Sequence, residues 1–238
     1  MRKTMSNYND RIEYAADNTK IIRFPKQKLS TFGQTNIKYY MVTEPIYGEF
    51  EATDAETIVR QGYVIAEKPR IITPYYMSRL EGFSSEAKNY FSKIGQLYGA
   101  DSPGIYYSYS NQSKNLSILS ECIESVVDKL NEEIEGKAEN LSAIIVGQDD
   151  LWDVSLLKFI YELTQSSLYN NLNQFEAMGL LNIDSSGIPN DARLIIEELF
   201  EKLARGKITP GILKKELQHW GLFEIYQDRF FAALQSGK

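Results

Sequence analysis

His219 and Cys122 are the only histidine and cysteine in the chain, and most familiar catalytic and metal centres need several copies of those side chains. A structural zinc site takes about four Cys/His ligands and a catalytic one about three, often two of them histidines, so the common zinc sites are not expected. A disulfide within the chain would need a second cysteine. A Ser/His/Asp triad has only His219 to run through, and His219 ends the string Lys-Lys-Glu-Leu-Gln-His, where a histidine in a last helical turn complements the helix dipole. Cys122 heads the row Ile123, Val126, Val127, Leu130 and Ile134, which reads as one buried helical stripe ended by Gly136. The thiol is therefore expected to be buried and inert.

Acidic chemistry is the next candidate. Asp149, Asp150 and Asp153 form the densest short acidic cluster beside a helix start, and oxygen-rich groups of this kind hold Mg2+ or Ca2+. Aspartates also cap helices and complement the dipole, and the order of residues is not that of an EF-hand. Capping is the simpler reading, so no metal and no cofactor are expected. A carboxylate-based hydrolase, with or without a metal ion, stays as an alternative, since it would need two carboxylates brought about 5–9 Å apart. Phosphate-cradling loops of the GxxxxGK[ST] and GxGxxG types are absent, as is the GxSxG elbow. The tyrosine clusters Tyr39-Tyr40, Tyr75-Tyr76 and Tyr106-Tyr107-Tyr109 offer at most one ring per strand face to a groove.

A third candidate is a reading helix. Residues 163–181, with Ser167, Tyr169, Asn170, Asn171 and Asn173 on a Ser-capped helix and a closing Met178-Gly179-Leu180-Leu181, resemble the recognition-helix segment of bacterial winged-helix regulators. The resemblance covers about 20 residues and implies that those polar side chains read base edges, which makes a DNA-binding regulator the second alternative. Taken from the residues alone, the stretch is a helical hairpin with a glycine stop. No Lys or Arg lies between Ser166 and Met178, and phosphate positioning draws on those residues.

The elements that must position these residues divide the chain. Residues 1–110 carry 14 Lys/Arg against 12 Asp/Glu, residues 111–238 carry 12 against 20, and 13 of the 16 tyrosines precede residue 111. Aromatic and β-branched residues favour strands, whereas Leu, Glu, Lys and Ala favour helices. The expected class is α+β, with a small strand-containing N-terminal part and a mostly α-helical C-terminal part. Residues 1–20 read as a flexible arm, 21–110 as a mixed Tyr-rich part and 111–238 as an acidic helical part, with the boundary near 99–115.

Strands are expected at 37–43, at 57–60 and 63–66 as a hairpin about Gln61-Gly62, and at 70–73. A helix starts at Thr73-Pro74 and another at Ser84. From Leu116 onward the pattern is helical, apart from the ambiguous run 141–146. Separate helices are expected over 151–163 and 166–178, then over 191–205, 210–220 and 224–235, with Gly179, Gly206 and Gly221 as their stops.

The net charge of -6 and the uncharged reading segment argue against nucleic acid as partner. No run approaches the roughly 20 apolar residues of a membrane span, and the polar stretch 1–28 has no signal-like apolar core, so a cytoplasmic protein is expected. The leading expectation is a non-catalytic protein that acts through protein–protein interaction or as a homo-oligomer. Leu222, Phe223, Phe230 and Phe231, large apolar groups at the C-terminus, are its candidate interface.

Overall fold

The computed structural model describes residues 8–46 and 55–236. In chain order the elements are α1 (Tyr8–Asp17), β1 (Lys20–Arg23), β2 (Thr35–Glu44), β3 (Thr57–Ala66), β4 (Arg70–Ile72), α2 (Pro74–Met77), α3 (Ser85–Tyr98), β5 (Gly104–Tyr106), β6 (Tyr109–Leu119), α4 (Ile123–Gly136), β7 (Ser142–Gln148), α5 (Trp152–Ala177), α6 (Asn190–Ala204), α7 (Pro210–His219) and α8 (Phe223–Ser236). The class is α+β. No described helix is long and apolar enough to cross a membrane.

The chain forms two compact units, one of residues 1–68 with 108–171 and the other of 69–107 with 172–238. The path thus leaves the first unit at Pro69, returns at Ser108 and leaves again at Leu172, where the sequence suggested a single boundary near 99–115. The return is possible because β3 and β6 are antiparallel neighbours that pair Ala66 with Tyr109. The insertion sits where a hairpin would have its turn.

The first unit is a five-stranded sheet in the order β1-β7-β2-β3-β6, with β2 and β7 parallel and Tyr40 opposite Ile144. One face carries Tyr40, Val42, Val59 and Ile144 and is closed by Val126, Val127, Leu130 and Ile134 of α4. The other face is as dry: Ile37, Tyr39, Met41, Ala143 and Ile145 have no exposed surface. Burial on both faces explains why β2 and β7 read as continuous apolar runs without alternation. The helix α5 crosses this second face at Gly147, where a Cβ would stand 2.2 Å from Ser155 Oγ.

Several local expectations change. Residues 57–66 form one strand and no hairpin; Gly62 is needed because a Cβ there would fall 2.6 Å from both Tyr39 Oη and Gln112 O, so the glycine marks a close approach and a bulge. Residues 109–119, which the sequence placed at the boundary region near 99–115 and the start of the helical pattern at Leu116, are the edge strand β6, whose polarity reflects near-complete exposure. The proposed arm is helix α1 from Tyr8 on; Ala15 is fully buried, and Thr19 Oγ1 donates to Ser155 Oγ at 2.7 Å. Residues 1–7 of that arm lie outside the described residues.

Cys122 is exposed, contrary to expectation, because it is the N-cap of α4 and precedes the stripe. Gly136 is the last residue of that helix, but the left-handed position of the stop that follows is Ala138, with φ 52°. The bonds Glu139 N to Ile134 O and Ala138 N to Glu135 O, both 3.0 Å, are those of a Schellman motif with alanine in the place of glycine.

The second unit pairs β4 with β5 and is otherwise helical. Ile196, Phe200, Leu213, Leu217, Trp220 and Phe230 form its main core, and Ile71, Phe175 and Leu180 a smaller one. Gly179, Gly206 and Gly221 have φ between 65° and 68°, as helix-stop glycines should.

Candidate interaction surface

The acidic cluster does not converge. Asp149 Oδ1 accepts from Thr43 Oγ1 at 2.8 Å and Arg60 Nη1 at 2.7 Å, and the Arg60 guanidinium lies 5.6 Å from the Trp152 ring centre. Asp150 pairs with Arg11 at 2.5 Å, and Asp153 Oδ1 accepts from Val154 N at 3.0 Å in the first turn of α5. Each carboxylate is thus committed to its own cation or helix end. Among the described residues no group of three or more His, Cys, Asp or Glu could hold a metal ion.

The two helices expected across residues 151–178 are one, α5, with 26 residues and no turn inside it. Leu163, Ser167, Asn171 and Phe175 recur every fourth residue on its buried side. Ser167 Oγ accepts from Leu29 N at 3.1 Å, while Asn171 Nδ2 donates to Leu29 O at 2.9 Å and Thr31 Oγ1 at 2.7 Å. These two side chains hold the backbone of an extended segment as a neighbouring strand would. Tyr169, Asn170 and Asn173 face outward. Of the C-terminal aromatic set, Leu222 and Phe230 are core, Phe223 packs against that core, and Phe231 is 47% exposed.

A buried charged network lies in the second unit and was not visible in the sequence, because its members are far apart in the chain. The Glu216 carboxylate accepts from Arg70, from Trp220 Nε1 at 3.1 Å and from Tyr76 Oη at 3.3 Å. Burial, with the Glu216 charge adding to it, pushes the Tyr76 phenol up to about 12. Asp191 Oδ2 accepts from Ile71 N at 2.8 Å. The set pins β4 onto α6 and α7, and only 9% of the Glu216 side chain is exposed. His219, the last residue of α7, sets its ring edge-on to Tyr76. Burial holds it below the ordinary imidazole value, with Lys215 and Arg70 adding to the effect and Glu216 and Glu81 opposing it.

An open cleft is found among the described residues of each unit. In the first, a cleft of about 320 Å3 lined mainly by polar residue types lies by Asn36, Lys38, Tyr63, Glu139 and Ser142. Burial pushes the Lys38 ammonium down, but its contacts with Tyr40 and Glu139 outweigh burial and leave it above its ordinary value. It therefore stays charged, and the Ser142 hydroxyl donates to Glu139 at 3.0 Å. A protonated lysine is no base, so Lys38 does not serve as one for Ser142.

In the second unit the cleft is apolar, about 330 Å3, and walled by Ile72, Pro74, Met77, Phe91, Ile94 and Ile105. Its outer wall is α3. This helix starts as the sequence requires, with Ser84 Oγ accepting from Ala87 N at 3.2 Å, and ends at Gly99 with φ 99°. Ala87, Phe91, Ile94 and Tyr98 recur at three- and four-residue spacing, the pattern of a helix that buries a stripe. None of its residues is buried: Tyr90 is 61% exposed, Leu97 76% and Tyr98 74%.

Comparison with protein-family models, with curated proteins and with solved structures finds no match to this chain.

Proposed function

We propose that this chain is a non-catalytic interaction protein whose second unit receives an apolar segment of a protein partner in the cleft between α3 and β5. The observation that carries the reading is α3 itself: an amphipathic helix of 14 residues with no buried side chain, set beside an apolar cleft. Helical stability in proteins comes mostly from packing an apolar face, and exposed apolar patches beside a groove mark interaction sites. The chemistry elsewhere is consistent with a binding role, since the acidic, tyrosine and lysine groups described above are engaged in pairs that hold elements in place.

The test is selection of a displayed peptide library on the wild-type chain, with counter-selection on Leu97→Glu/Tyr98→Glu. Selected peptides should carry aliphatic or aromatic anchors and lose at least about tenfold in affinity on the double variant, roughly 1.4 kcal/mol. The melting temperature of that variant should stay close to wild type, since surface substitutions usually stay within about 0.5 kcal/mol. A large fall in melting temperature would mean that the stripe serves internal packing, and a selection without binders would also defeat the reading.

A further inference from the structure

The cleft around Lys38 exists because α4 stops short of the end of the sheet. The core that α4 closes reaches the row of Tyr40 and Ile144. Two residues back along the strands, and so on the same face, the next row sets Lys38 opposite Ser142 of β7 and Tyr63 of β3. Here the loop after α4 takes the place of the helix: Glu139 accepts from Lys38 Nζ at 3.2 and 3.3 Å and from Ser142 Oγ at 3.0 Å. Lys26 N donates to Asn140 O at 2.9 Å, which brings the segment carrying Gln27 to that loop. The cleft of about 320 Å3 is lined by these residues together with Asn36, and it falls at the lower end of the roughly 300–1,000 Å3 of small-molecule sites.

The chemistry of the lining selects against a charged ligand. Lys38 and Glu139 neutralise each other in a partly buried pair. An anion would draw the ammonium away and leave the carboxylate without its cation, while a cation would meet the ammonium at close range; both are unfavourable where water is partly excluded. What is left for a ligand is neutral and both donates and accepts. The side chains of Gln27, Tyr63 and Asn140 have no hydrogen-bond partner among the described residues, and Asn36 Oδ1 accepts from Gln34 Nε2 at 2.7 Å, which leaves the Asn36 amide free to donate. Carboxamides and phenols offer donors and acceptors together, a carboxylate has about four lone-pair sites and an ammonium three N–H groups. The Lys38/Glu139 pair can therefore donate to one hydroxyl and accept from its neighbour. Tyr63 is 36% exposed and is the one aromatic residue that lines the cleft. A single ring supports the C–H face of a pyranose, whereas a flat base is held best between two rings.

From this we infer that the cleft of the first unit binds a neutral saccharide of one or two pyranose units. Tyr63 underlies the apolar face of the sugar, Lys38 and Glu139 hold a pair of adjacent hydroxyls, and the carboxamides of Asn36 and Asn140 take hydroxyls beyond them. The inference is independent of the apolar cleft beside α3, which has no such groups.

The experiment titrates the full, isotope-labelled chain by NMR with the methyl glycosides of glucose, galactose and mannose, with maltose, cellobiose and lactose, and with glucose phosphate, glucosamine and adenosine as charged or flat counterparts. At least one uncharged sugar should give saturable shifts at the amides of Lys38, Tyr63 and Asn140, with a dissociation constant on the order of millimolar, as suits about a dozen ligand heavy atoms. The charged and flat counterparts should bind about tenfold or more weakly. Tyr63→Thr, which keeps a residue suited to a strand, should weaken the sugar about tenfold or more. Asn140→Ala, in an exposed loop, should weaken it about three- to tenfold and gives the reading should Tyr63→Thr fail to fold. Tyr98→Glu, in the apolar cleft, should leave sugar binding unchanged. No saturable shift from any uncharged sugar, equal or tighter binding of a counterpart, binding indifferent to both cleft variants, or binding lost instead with Tyr98→Glu would each overturn the assignment.

Discussion

At the scale of single residues, His219 is the group whose surroundings make the clearest demand. Its Nδ1 and Nε2 are buried without a hydrogen-bond partner in the described residues, and its proton affinity is held below the ordinary imidazole value of 6.5. Between the folded value and 6.5 the unfolded chain holds more protons than the folded one, so stability rises with pH across that window. The contribution is complete above 6.5 and is lost as pH falls through the folded value. Thermal melts of the second unit, followed by the fluorescence of Trp220, should weaken between about pH 7 and pH 5, and His219→Gln should flatten that part of the profile. An unchanged profile would mean that carboxylates alone set it. A flattened profile would mark the residue as a neutral packing group near pH 7, where a helix-dipole role, which requires a charged ring, does not operate.

At the scale of elements, α4 offers a direct measurement. Ala138 occupies the left-handed position of the Schellman turn, where an L side chain costs roughly 1–2 kcal/mol. Ala138→Gly should raise stability by up to about 1 kcal/mol, since glycine gives back part of the gain as unfolded-chain entropy; denaturant titration with an unchanged slope would confirm it. Elements with local signatures were legible in the sequence: the Thr73 and Ser84 caps, the glycine stops, and the helices expected over 191–205 and 210–220 that became α6 and α7. Long-range pairing was not. Gly62 resembled a hairpin turn because nothing nearby shows that the Tyr39 ring passes over it. The polar residues of β6 gave no strand signal, because an edge strand is held by its neighbour β3 and not by its own apolar residues. The candidate surface was half legible: the stripe of α3 was evident, whereas its lack of cover depends on what the rest of the chain fails to place there.

At the scale of the whole molecule, each unit has its own core, and the insertion begins and ends at neighbouring points, with Glu67 N bonded to Ser108 O at 3.0 Å. A chain in which an Asn-Gly turn replaces residues 68–107 and which ends at Asn171 should therefore fold to the five-stranded sheet with cooperative melting, since such two-residue turns suit hairpins. Slow amide exchange in β2 and β7 would verify it, and an unfolded product would show that the first unit depends on the second. The order of synthesis gives the same topology another meaning. Tyr40 of β2 must wait for Ile144, and the second unit, opened at Pro69, is completed only by residues after Leu172. At roughly 5–20 residues per second, the nascent chain spends several seconds with β2 open along one edge, and the protein needs the most protection from aggregation while it is still attached to the ribosome.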